Sequence, residues 1–336
     1  MKIGIPSGLF FYSYYPLWKN FFENLGAHVI QSGNTNRKIL NLGVKLCVDE
    51  ACLPVKLYHG HVEYLSDKVD AVFIPRIMSV YKNEYICPKF CGLPEMIKNS
   101  VPNIPYMIDT IINLRESDST IIDSIMDAGS IITKNKSRIE KAYRDALTEH
   151  RRFVSSLKAT GDFANSQNGI SIKNKPESTK KIAIIGHPYN IYDSYINMDI
   201  AKKLQNFGYS VITPEMIDDE RINRNAGKMP KRHFWTLGRR ILGASLSFIE
   251  NRDIDGIIYL SSFGCGIDSL IEDYLERYIR RDGKIPYMKL VLDEHTGEAG
   301  MNTRLEAFID MVKWREENEG NIPTYGRSVC SSKGIS

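Results

Sequence analysis

Short apolar runs alternate with segments of helical spacing in the first part of the chain. The runs at residues 2–6, 27–31 and 71–75 end at or close to Gly or Pro, and their length and apolar character predict buried strands. Helical spacing of apolar residues is found near residues 15–25, 36–42 and 55–65. Strands that alternate with helices in this way predict βαβ units and a parallel sheet.

The same alternation starts again at residue 181. The predicted strands and helices of this part are strands at residues 181–186, 209–213, 255–260 and 287–292 and helices at residues 197–207 and 303–314. The segment FFENLGAHVI of the first part is similar to KKLQNFGYSVI of the second, because each combines a helix end, a Gly and a strand. We therefore predict two similar α/β halves.

A polar segment separates the two halves. Residues 165–180 are rich in Asn, Ser and Lys and contain few large apolar residues, which is typical of an interdomain linker. A long charged helix, predicted at about residues 134–157, precedes this segment and is expected to pack across the junction. The predicted organisation is an N-terminal α/β domain at residues 1–164, the linker, and a C-terminal α/β domain at residues 181–336.

Composition and charge narrow the class of protein. Of the 336 residues, 43% are hydrophobic and 25% are charged, as in an ordinary globular protein. The formal net charge of +4 gives little support for nucleic-acid binding, although residues 221–240 form a basic stretch. Neither a signal peptide nor an apolar stretch of transmembrane length is found, so we expect a cytoplasmic protein that binds neither nucleic acid nor membranes. Cysteines in that compartment are expected to be reduced, metal-bound or catalytic.

The six cysteines carry the main chemical signal. They are Cys47, Cys52, Cys87, Cys91, Cys265 and Cys330. The first five lie in predicted loops that follow a strand or precede a helix. Loops at the carboxyl ends of parallel strands can converge on one cleft, where helix N-termini supply free N–H groups and a positive dipole. Such a cleft suits thiolates and the net negative charge of an iron–sulfur cluster.

Two alternatives to an iron–sulfur site stay open. Any one of these cysteines can be a small buried hydrophobic residue, which is the common role of a free cysteine. Zinc is the other alternative, because the C-x4-C spacing of Cys47 and Cys52 and the C-x3-C spacing of Cys87 and Cys91 are compatible with a zinc site.

Neighbouring Pro and Gly residues fit the buried role less well. Cys87 precedes a proline, and Cys265 lies between Gly264 and Gly266. Because glycine lets the backbone approach a cofactor closely, Gly264 and Gly266 are predicted to lie against the bound group.

Two further segments contain candidate polar side chains. The loop after the last predicted strand contains His295 and Glu298, which could bind substrate or act in acid–base catalysis. This loop could equally cap the next helix or line the domain junction. His59 and His61 flank a glycine and could ligate a metal or donate protons. The favoured interpretation is structural, with one of these two histidines buried and the other facing solvent.

Several segments that contain the cysteines and the acidic loop resemble the activase-related proteins of the 2-hydroxyacyl-CoA dehydratase group. The match is to the domain of unknown function found behind acyl-CoA dehydratase activase ATPase domains. The segments are CVDEACLPVKLYHGHVEYL, IPRIMSVYKNEYICPKFCGLPEMI, SSFGCGIDSL, LDEHTGEAGMNTRLEAFID and the opening KIGIPSGLFFYSYYPLWKNFFENLGAHV. The resemblance spans nearly the whole chain. It implies two Rossmann-like (flavodoxin-like) α/β domains with parallel sheets and an iron–sulfur cluster at their junction.

The resemblance also implies a set of metal ligands. In dehydratase components three cysteines ligate a [4Fe–4S] cluster, whereas related double-cubane cluster proteins use six cysteines for a larger cluster. The ligand candidates carried over to this chain are Cys47, Cys52, Cys87 and Cys265. A [4Fe–4S] cluster is expected, with a double-cubane cluster or zinc as the alternatives. Cys91 and Cys330 match no motif of the group.

The function implied by the resemblance is electron transfer in anaerobic metabolism. A separate ATP-dependent activator with its own [4Fe–4S] cluster is expected to supply low-potential electrons. This chain would relay those electrons or use them to reduce a CoA thioester or another small substrate. The sequence contains no GxxxxGK[ST] phosphate loop, so the chain itself is not expected to hydrolyse ATP. The alternatives are a non-catalytic scaffold that binds the activator or a dehydratase, and a zinc-stabilised α/β protein.

Overall fold

The computed structural model describes residues 1–117, 120–161, 179–229, 231–251, 253–283 and 285–317. Nearly all of the predicted linker and Cys330 lie outside these described residues. The linker and the domain boundaries therefore remain predictions. Residues 1–161 are called the first half below, and residues 179–317 the second half.

Strands in the described residues form parallel sheets. The strands are β1 (Lys2–Ile5), β2 (His28–Gln31), β3 (Ala71–Phe73), β4 (Arg76–Ser79), β5 (Tyr106–Ile108), β6 (Ile111–Asn113), β7 (Lys181–Gly186), β8 (Ser210–Ile212), β9 (Gly256–Ser262) and β10 (Tyr287–Leu292). The first half has a sheet of order β2-β1-β3-β5, the second half has one of order β8-β7-β9-β10, and β4 pairs with β6. Every one of these pairings is parallel, which confirms the predicted α/β class with parallel sheets.

Helices connect and cover the sheets. They are α1 (Phe11–Asn24), α2 (Arg37–Leu46), α3 (Leu53–Leu65), α4 (Pro88–Cys91), α5 (Leu93–Ser100), α6 (Ile121–Ser130), α7 (Lys136–Thr160), α8 (Pro188–Ile191), α9 (Ile200–Asn206), α10 (Asp219–Ala226), α11 (Thr236–Asn251), α12 (Gly266–Asp282) and α13 (Glu298–Glu317). No described helix combines the length and the apolar character that crossing a bilayer requires.

The two four-stranded sheets share one topology. In each, the first strand is central, the second lies at one edge, and the third and fourth follow on the other side. The predicted similarity of the two halves agrees with this shared strand order. In the second sheet, the strand order reverses between β7 and β9, and ligands of open α/β sheets bind outside the carboxyl ends of strands at such a point.

The central strands of the second sheet are mostly apolar and almost completely buried. β9 is buried at every residue, and β7 at every residue after Lys181. Strands of parallel sheets are covered on both faces, so they need continuous apolar runs rather than alternation. This explains why the run at residues 181–186 predicts β7 with the observed bounds.

Helix α7 shows how local sequence sets the ends of an element. The side chain of Asn135 accepts a hydrogen bond from the Arg138 backbone N–H at 3.1 Å and caps the first turn. Gly161 ends the helix in a left-handed conformation with a φ of 68°. The helix packs along α1 of the first half.

One cluster of buried apolar side chains runs through both halves. It includes Ile3 and Phe22 from the first half and Ile184 and Leu292 from the second. A separate cluster around Phe248 lies within the second half. The halves are therefore joined by shared apolar packing, and side chains at their junction are held in fixed positions.

Candidate functional site

Three cysteines occupy the position immediately before a helix. Cys52 precedes α3, Cys87 precedes α4, and Cys265 precedes α12. None of these side chains caps its own helix with a hydrogen bond, unlike the Ser, Thr, Asp or Asn that usually occupies this position. The thiols are thus placed beside helix N-termini without being used by the helices.

The same three cysteines line one pocket between the halves. Its lining residues are Leu9, Cys52, Pro54, Val55, Tyr85, Ile86, Cys87, Lys89, Phe90, His187, Tyr189, Trp235, Leu237, Cys265 and Ile267. The pKa of Tyr189 is raised, first by burial and then by Cys265, Asp268, Cys52 and Cys87. One tyrosine hydroxyl therefore interacts with all three thiols, which agrees with their convergence. We refer to this site as the cysteine pocket.

Gly264 brings the Cys265 loop close to the Cys52 loop. Its φ is +75°, a conformation that residues with a side chain rarely adopt. A methyl group at Gly264 would lie 3.2 Å from the carbonyl oxygen of Glu50 and 3.6 Å from the α-carbon of Cys52. A methyl group at Gly266 would meet nothing within 4 Å. The close approach at Gly264 is thus to protein backbone, and contact of Gly264 and Gly266 with a bound group stays a prediction.

Backbone hydrogen bonds attach the Cys87 loop to the second half. The N–H of Tyr85 donates to the carbonyl of Phe234 at 2.8 Å, and the N–H of Thr236 donates to the carbonyl of Tyr85 at 2.9 Å. Together they form an isolated parallel bridge between Tyr85 and Trp235. The position of Cys87 is consequently set by both halves.

A buried ion pair reinforces this attachment. Glu84 is 0% exposed, and its Oε1 lies 2.6 Å from Nε of Arg239 and 3.3 Å from a guanidinium nitrogen of Arg232. Arg240 of the same basic stretch pairs with Asp219. These arginines of the 221–240 stretch are engaged in ion pairs.

His187 and Asp268 lie beside Cys265. One ligand atom from each of these three residues lies within 4.8 Å of the other two. His187 is 1% exposed and neither ring nitrogen has a hydrogen bond of good geometry, although Nε2 lies 3.2 Å from Oδ1 of Asp268. Nε2 therefore faces the Asp268 carboxylate, and Nδ1 is the ring nitrogen with no partner among the described residues.

The surroundings of Asp268 favour its carboxylate form. Burial alone would raise its pKa, but His187, the Tyr259 hydroxyl and the Ser262 backbone N–H together hold the pKa below the usual value. Tyr259 donates to Oδ1 at 2.8 Å and Ser262 to Oδ2 at 3.3 Å. The cysteine pocket thus has a fixed negative charge at one side.

Burial is the main influence on the pKa values of the thiols in the cysteine pocket. It raises the pKa of Cys87 and of Cys265, and nearby Cys52 and Asp268 raise both further. Neutral thiols are therefore favoured until a cation enters. Metal binding would release their protons, because thiolates are the form that binds metals. Three converging thiols with a neighbouring imidazole are a donor set of the kind that binds metals.

Cys47 lies next to the cysteine pocket and does not line it. It follows the last residue of α2 and packs with Cys52, Val55 and Met96. Burial raises the pKa of its thiol to about 11, although Lys56 opposes this effect. Of the four predicted ligands, the structure places Cys47 behind Cys52.

Of the other two cysteines, only Cys91 belongs to the described residues. Cys91 ends α4, and its carbonyl accepts a hydrogen bond from Arg76 at 2.9 Å. It does not line the cysteine pocket. Cys330 lies outside the described residues.

The two predicted catalytic candidates lie in a different part of the junction. His295 is exposed, and its backbone N–H donates to Asp293 at 2.9 Å. Glu298 begins α13, is 68% exposed, and pairs with Lys203 at 2.8 Å, which lowers the pKa of its carboxyl group. Glu298 lines a separate polar cleft, and neither candidate lines the cysteine pocket.

Both histidines of the 59–61 segment are buried, so the prediction that one faces solvent is wrong. Nδ1 of His59 bonds the Val55 carbonyl at 2.8 Å. The ring of His61 bonds Ser32 at 2.8 Å and Thr35 at 3.1 Å. The prediction failed because α3 is buried on nearly all sides, so both histidines form hydrogen bonds inside the protein.

Sequence reasoning missed His187, Asp268 and Tyr189. A signal was available for His187, which follows β7 directly and precedes a proline, as Cys87 does. Pro at the first helical position marks a helix start, and a polar residue before it faces the carboxyl edge of the sheet. Asp268 and Tyr189 are recognisable only once β7 and β9 are known to be neighbours.

Comparison with known proteins identifies a family. Residues 2–217 match the family model described as CoA enzyme activase uncharacterised domain (DUF2229). The matched region includes Cys52, Cys87 and His187 and ends before Cys265. A search of curated proteins found no match. Because the family model covers more than half of the chain, the chain belongs to the family of the CoA enzyme activase uncharacterised domain.

Proposed function

We propose that the chain binds an iron–sulfur cluster of the [4Fe–4S] type through Cys52, Cys87 and Cys265. The observation that carries this proposal is the convergence of three thiols from both halves on one pocket. Cysteine thiolates are the usual protein ligands of such clusters. When bound, the cluster would supply one-electron transfer at a potential set by its charge, hydrogen bonds and burial.

The spacing of the thiols supports a multi-metal group over a single ion. Two sulfur ligands of one zinc ion lie at most about 4.6 Å apart, because each Zn–S bond is about 2.3 Å long. Among the described residues, the group whose ligand atoms all lie within 4.8 Å of one another contains Cys265 but neither Cys52 nor Cys87. The three thiols are therefore spread more widely than one ion could bridge.

The N-terminal ends of two helices give the cysteine pocket a positive electrostatic potential. Cys52 and Cys265 precede α3 and α12, whose first turns present N–H groups and the positive end of the helix dipole. These groups stabilise the net negative charge of a thiolate-ligated cluster. Tyr189 and His187, stacked at 4.9 Å, cover the pocket from the second half.

We further propose that low-potential electrons reach this site from an ATP-dependent activator. The chain would relay them, or use them to reduce a CoA thioester or another small substrate. Family membership supports a place in acyl-CoA dehydratase systems. Exposed apolar side chains beside the cysteines support a protein partner: Phe263 is 62% exposed and Val48 is 70% exposed.

Anaerobic reconstitution with iron and sulfide tests the cluster. We expect about four irons and four sulfides per chain, and an EPR signal after reduction. Cys52→Ser, Cys87→Ser and Cys265→Ser should each lose most of the iron. Cys91→Ser is the matched control and should keep it, because Cys91 does not line the pocket. Colourless protein with one zinc per chain would contradict the proposal.

Zinc is the second candidate, favoured by the compact group of His187, Cys265 and Asp268. Nitrogen, sulfur and carboxylate oxygen are all zinc ligands. The two metal sites share Cys265 and differ in everything else. Loss of metal in Cys52→Ser but not in His187→Ala indicates the cluster, whereas the reverse result indicates zinc.

A non-catalytic scaffold is the remaining alternative. In that case binding to the activator depends on the surface rather than on the metal. Complex formation that survives Cys265→Ser, together with unchanged activator turnover, would favour the scaffold. Loss of reductive activity with intact complex formation would favour electron transfer.

A further inference from the structure

An apolar cavity of about 270 Å³ lies inside the first half, between α1, α7 and the carboxyl ends of β1 and β3. It is distinct from the cysteine pocket, but Leu9 and Phe90 line both. A molecule in the cavity would be separated from the cysteines by this layer of side chains.

The side chains that line the cavity favour a ligand with an uncharged aromatic ring. Trp18, Tyr58 and Phe73 are among many aromatic side chains that form them, and no Asp, Glu, Lys or Arg occurs among the described lining residues. Burial lowers the pKa of His150 to about 4, so this imidazole is neutral at pH 7. A charged ligand would lose its hydration here without gaining a counter-ion, whereas an aromatic ring would gain stacking and edge-to-face contacts.

The volume is too large for a packing defect. Protein interiors are packed as densely as organic crystals, and voids larger than a water molecule are few. An apolar cavity of about 150 Å³ already holds benzene in another protein. A cavity of about 270 Å³ therefore has room for two fused rings.

Leu9 adopts a rare backbone conformation in the wall that the two sites share. Its φ is 53°, in the left-handed region that leucine seldom enters, and the residue is 4% exposed. Such strain persists only where the surrounding structure enforces it, and it is concentrated at functional sites. The strain places this side chain at the boundary between cavity and cysteines.

The burial of the lining residues indicates how a ligand would enter. Trp18 and Tyr58 are buried, whereas Tyr143, Leu147 and His150 of α7 are half-buried. One open end therefore lies along α7, and Phe10, Tyr14 and Val80 of other segments are half-buried as well.

We propose that this cavity binds an uncharged aromatic molecule of about two rings, or the corresponding part of a larger compound, next to the cysteine pocket. Binding there requires no metal. The proposal therefore goes beyond the proposed function, and the metal-free protein can be used to test it independently.

The test is isothermal titration of the full-length, metal-free protein with 2-naphthol, which is uncharged at pH 7. We expect one molecule bound per chain and a higher melting temperature. Naphthalene-2-sulfonate, with the same rings and a fixed charge, should bind at least about tenfold more weakly. Absence of saturable 2-naphthol binding, or equal binding of the two compounds, would overturn the proposal.

Variants locate the site. Leu147→Trp fills the open end along α7 and should weaken 2-naphthol binding about tenfold or more. Arg151→Trp adds the same side chain at an exposed position of α7 and should leave binding unchanged. Val80→Phe narrows the cavity from the segment that follows β4. It tests whether 2-naphthol binds in the cavity if Leu147→Trp does not fold. Undiminished binding in folded Val80→Phe and Leu147→Trp would refute the assignment.

Discussion

Lys56 of the first half forms a buried ion pair with Glu294 of the second. Lys56 lies in α3, is 2% exposed, and also donates to the Asp49 carbonyl at 3.0 Å. Glu294 is 18% exposed, and although burial opposes it, Lys56 holds the pKa of its carboxyl group below the usual value. The pair thus connects the helix that follows Cys52 to the loop after β10.

Replacing Glu294 by Gln should destabilise the protein by about 2 kcal/mol, because the Lys56 ammonium group would stay buried without its counter-ion. The measurement is urea unfolding at pH 7. Glu298→Gln is the matched control, since that carboxylate is exposed and paired on the surface, and it should cause no measurable change. Equal losses in the two variants would show that the burial of Lys56 does not matter.

Replacing Gly264 by Ala should reduce iron loading and cost about 1–2 kcal/mol of stability, since the residue would have to keep a positive φ and push against backbone. Iron content after reconstitution and the urea midpoint report these effects. Gly266→Ala provides the comparison, because its methyl group meets nothing and alanine favours helix. If Gly264→Ala and Gly266→Ala bind equal amounts of iron, the close approach of the Cys265 loop to the Cys52 loop is not needed for iron binding.

Replacing Asp268 by Asn should lower the free energy of unfolding by about 1–3 kcal/mol, because hydrogen bonds to a buried carboxylate are lost. The loss should persist down to about pH 4 and shrink only at lower pH, because the pKa of folded Asp268 lies below its usual value and the stabilisation disappears as the carboxylate is protonated. Asp273→Asn alters an exposed carboxylate on the same helix. It should stay within about 0.5 kcal/mol of the parent at every pH.

The buried His61 should make stability depend on pH. Burial lowers its pKa from 6.5 to about 3, so below pH 6.5 the unfolded chain binds a proton that the folded protein does not. The free energy of unfolding should therefore fall by up to about 1.4 kcal/mol for each pH unit below 6.5, or about 2 kcal/mol by pH 5.

The measurement is the slope of urea stability against pH in His61→Asn, which should be shallower than in the parent. His28→Asn changes an exposed histidine and should keep the parental slope. Identical slopes in His61→Asn and the parent would contradict this assignment of the pH dependence.

Apolar runs and Gly or Pro punctuation were sufficient to predict the parallel α/β class. β5 was not predicted, because its run of three apolar residues is too short to be recognised as a strand. The helix predicted at residues 15–25 begins earlier, at Phe11, because the aromatic residues before Pro16 pack into the core. Local sequence thus locates buried elements better than short or half-exposed ones.

The site was predictable to the extent that chemistry lies next to Pro and Gly. Cys87 and Cys265 carry that signal, and the structure places both in one pocket with Cys52. Cys47 carries a similar spacing signal but packs behind Cys52, which depends on the α2–α3 contact. The apolar cavity has no sequence signature at all, because its walls come from residues spread from Ile5 to His150.

Cys52 and Cys265 belong to different halves, and this has a consequence for chain entropy. A group bound to both would close a loop of roughly 210 residues. In the loop-closure model, the lost conformational entropy of the unfolded chain stabilises the folded protein by about 5 kcal/mol. Ligation would then act as a reversible cross-link between distant parts of the polypeptide. Occupancy of the cysteines could be read directly from the melting temperature, and loss of the bound group would loosen the whole molecule.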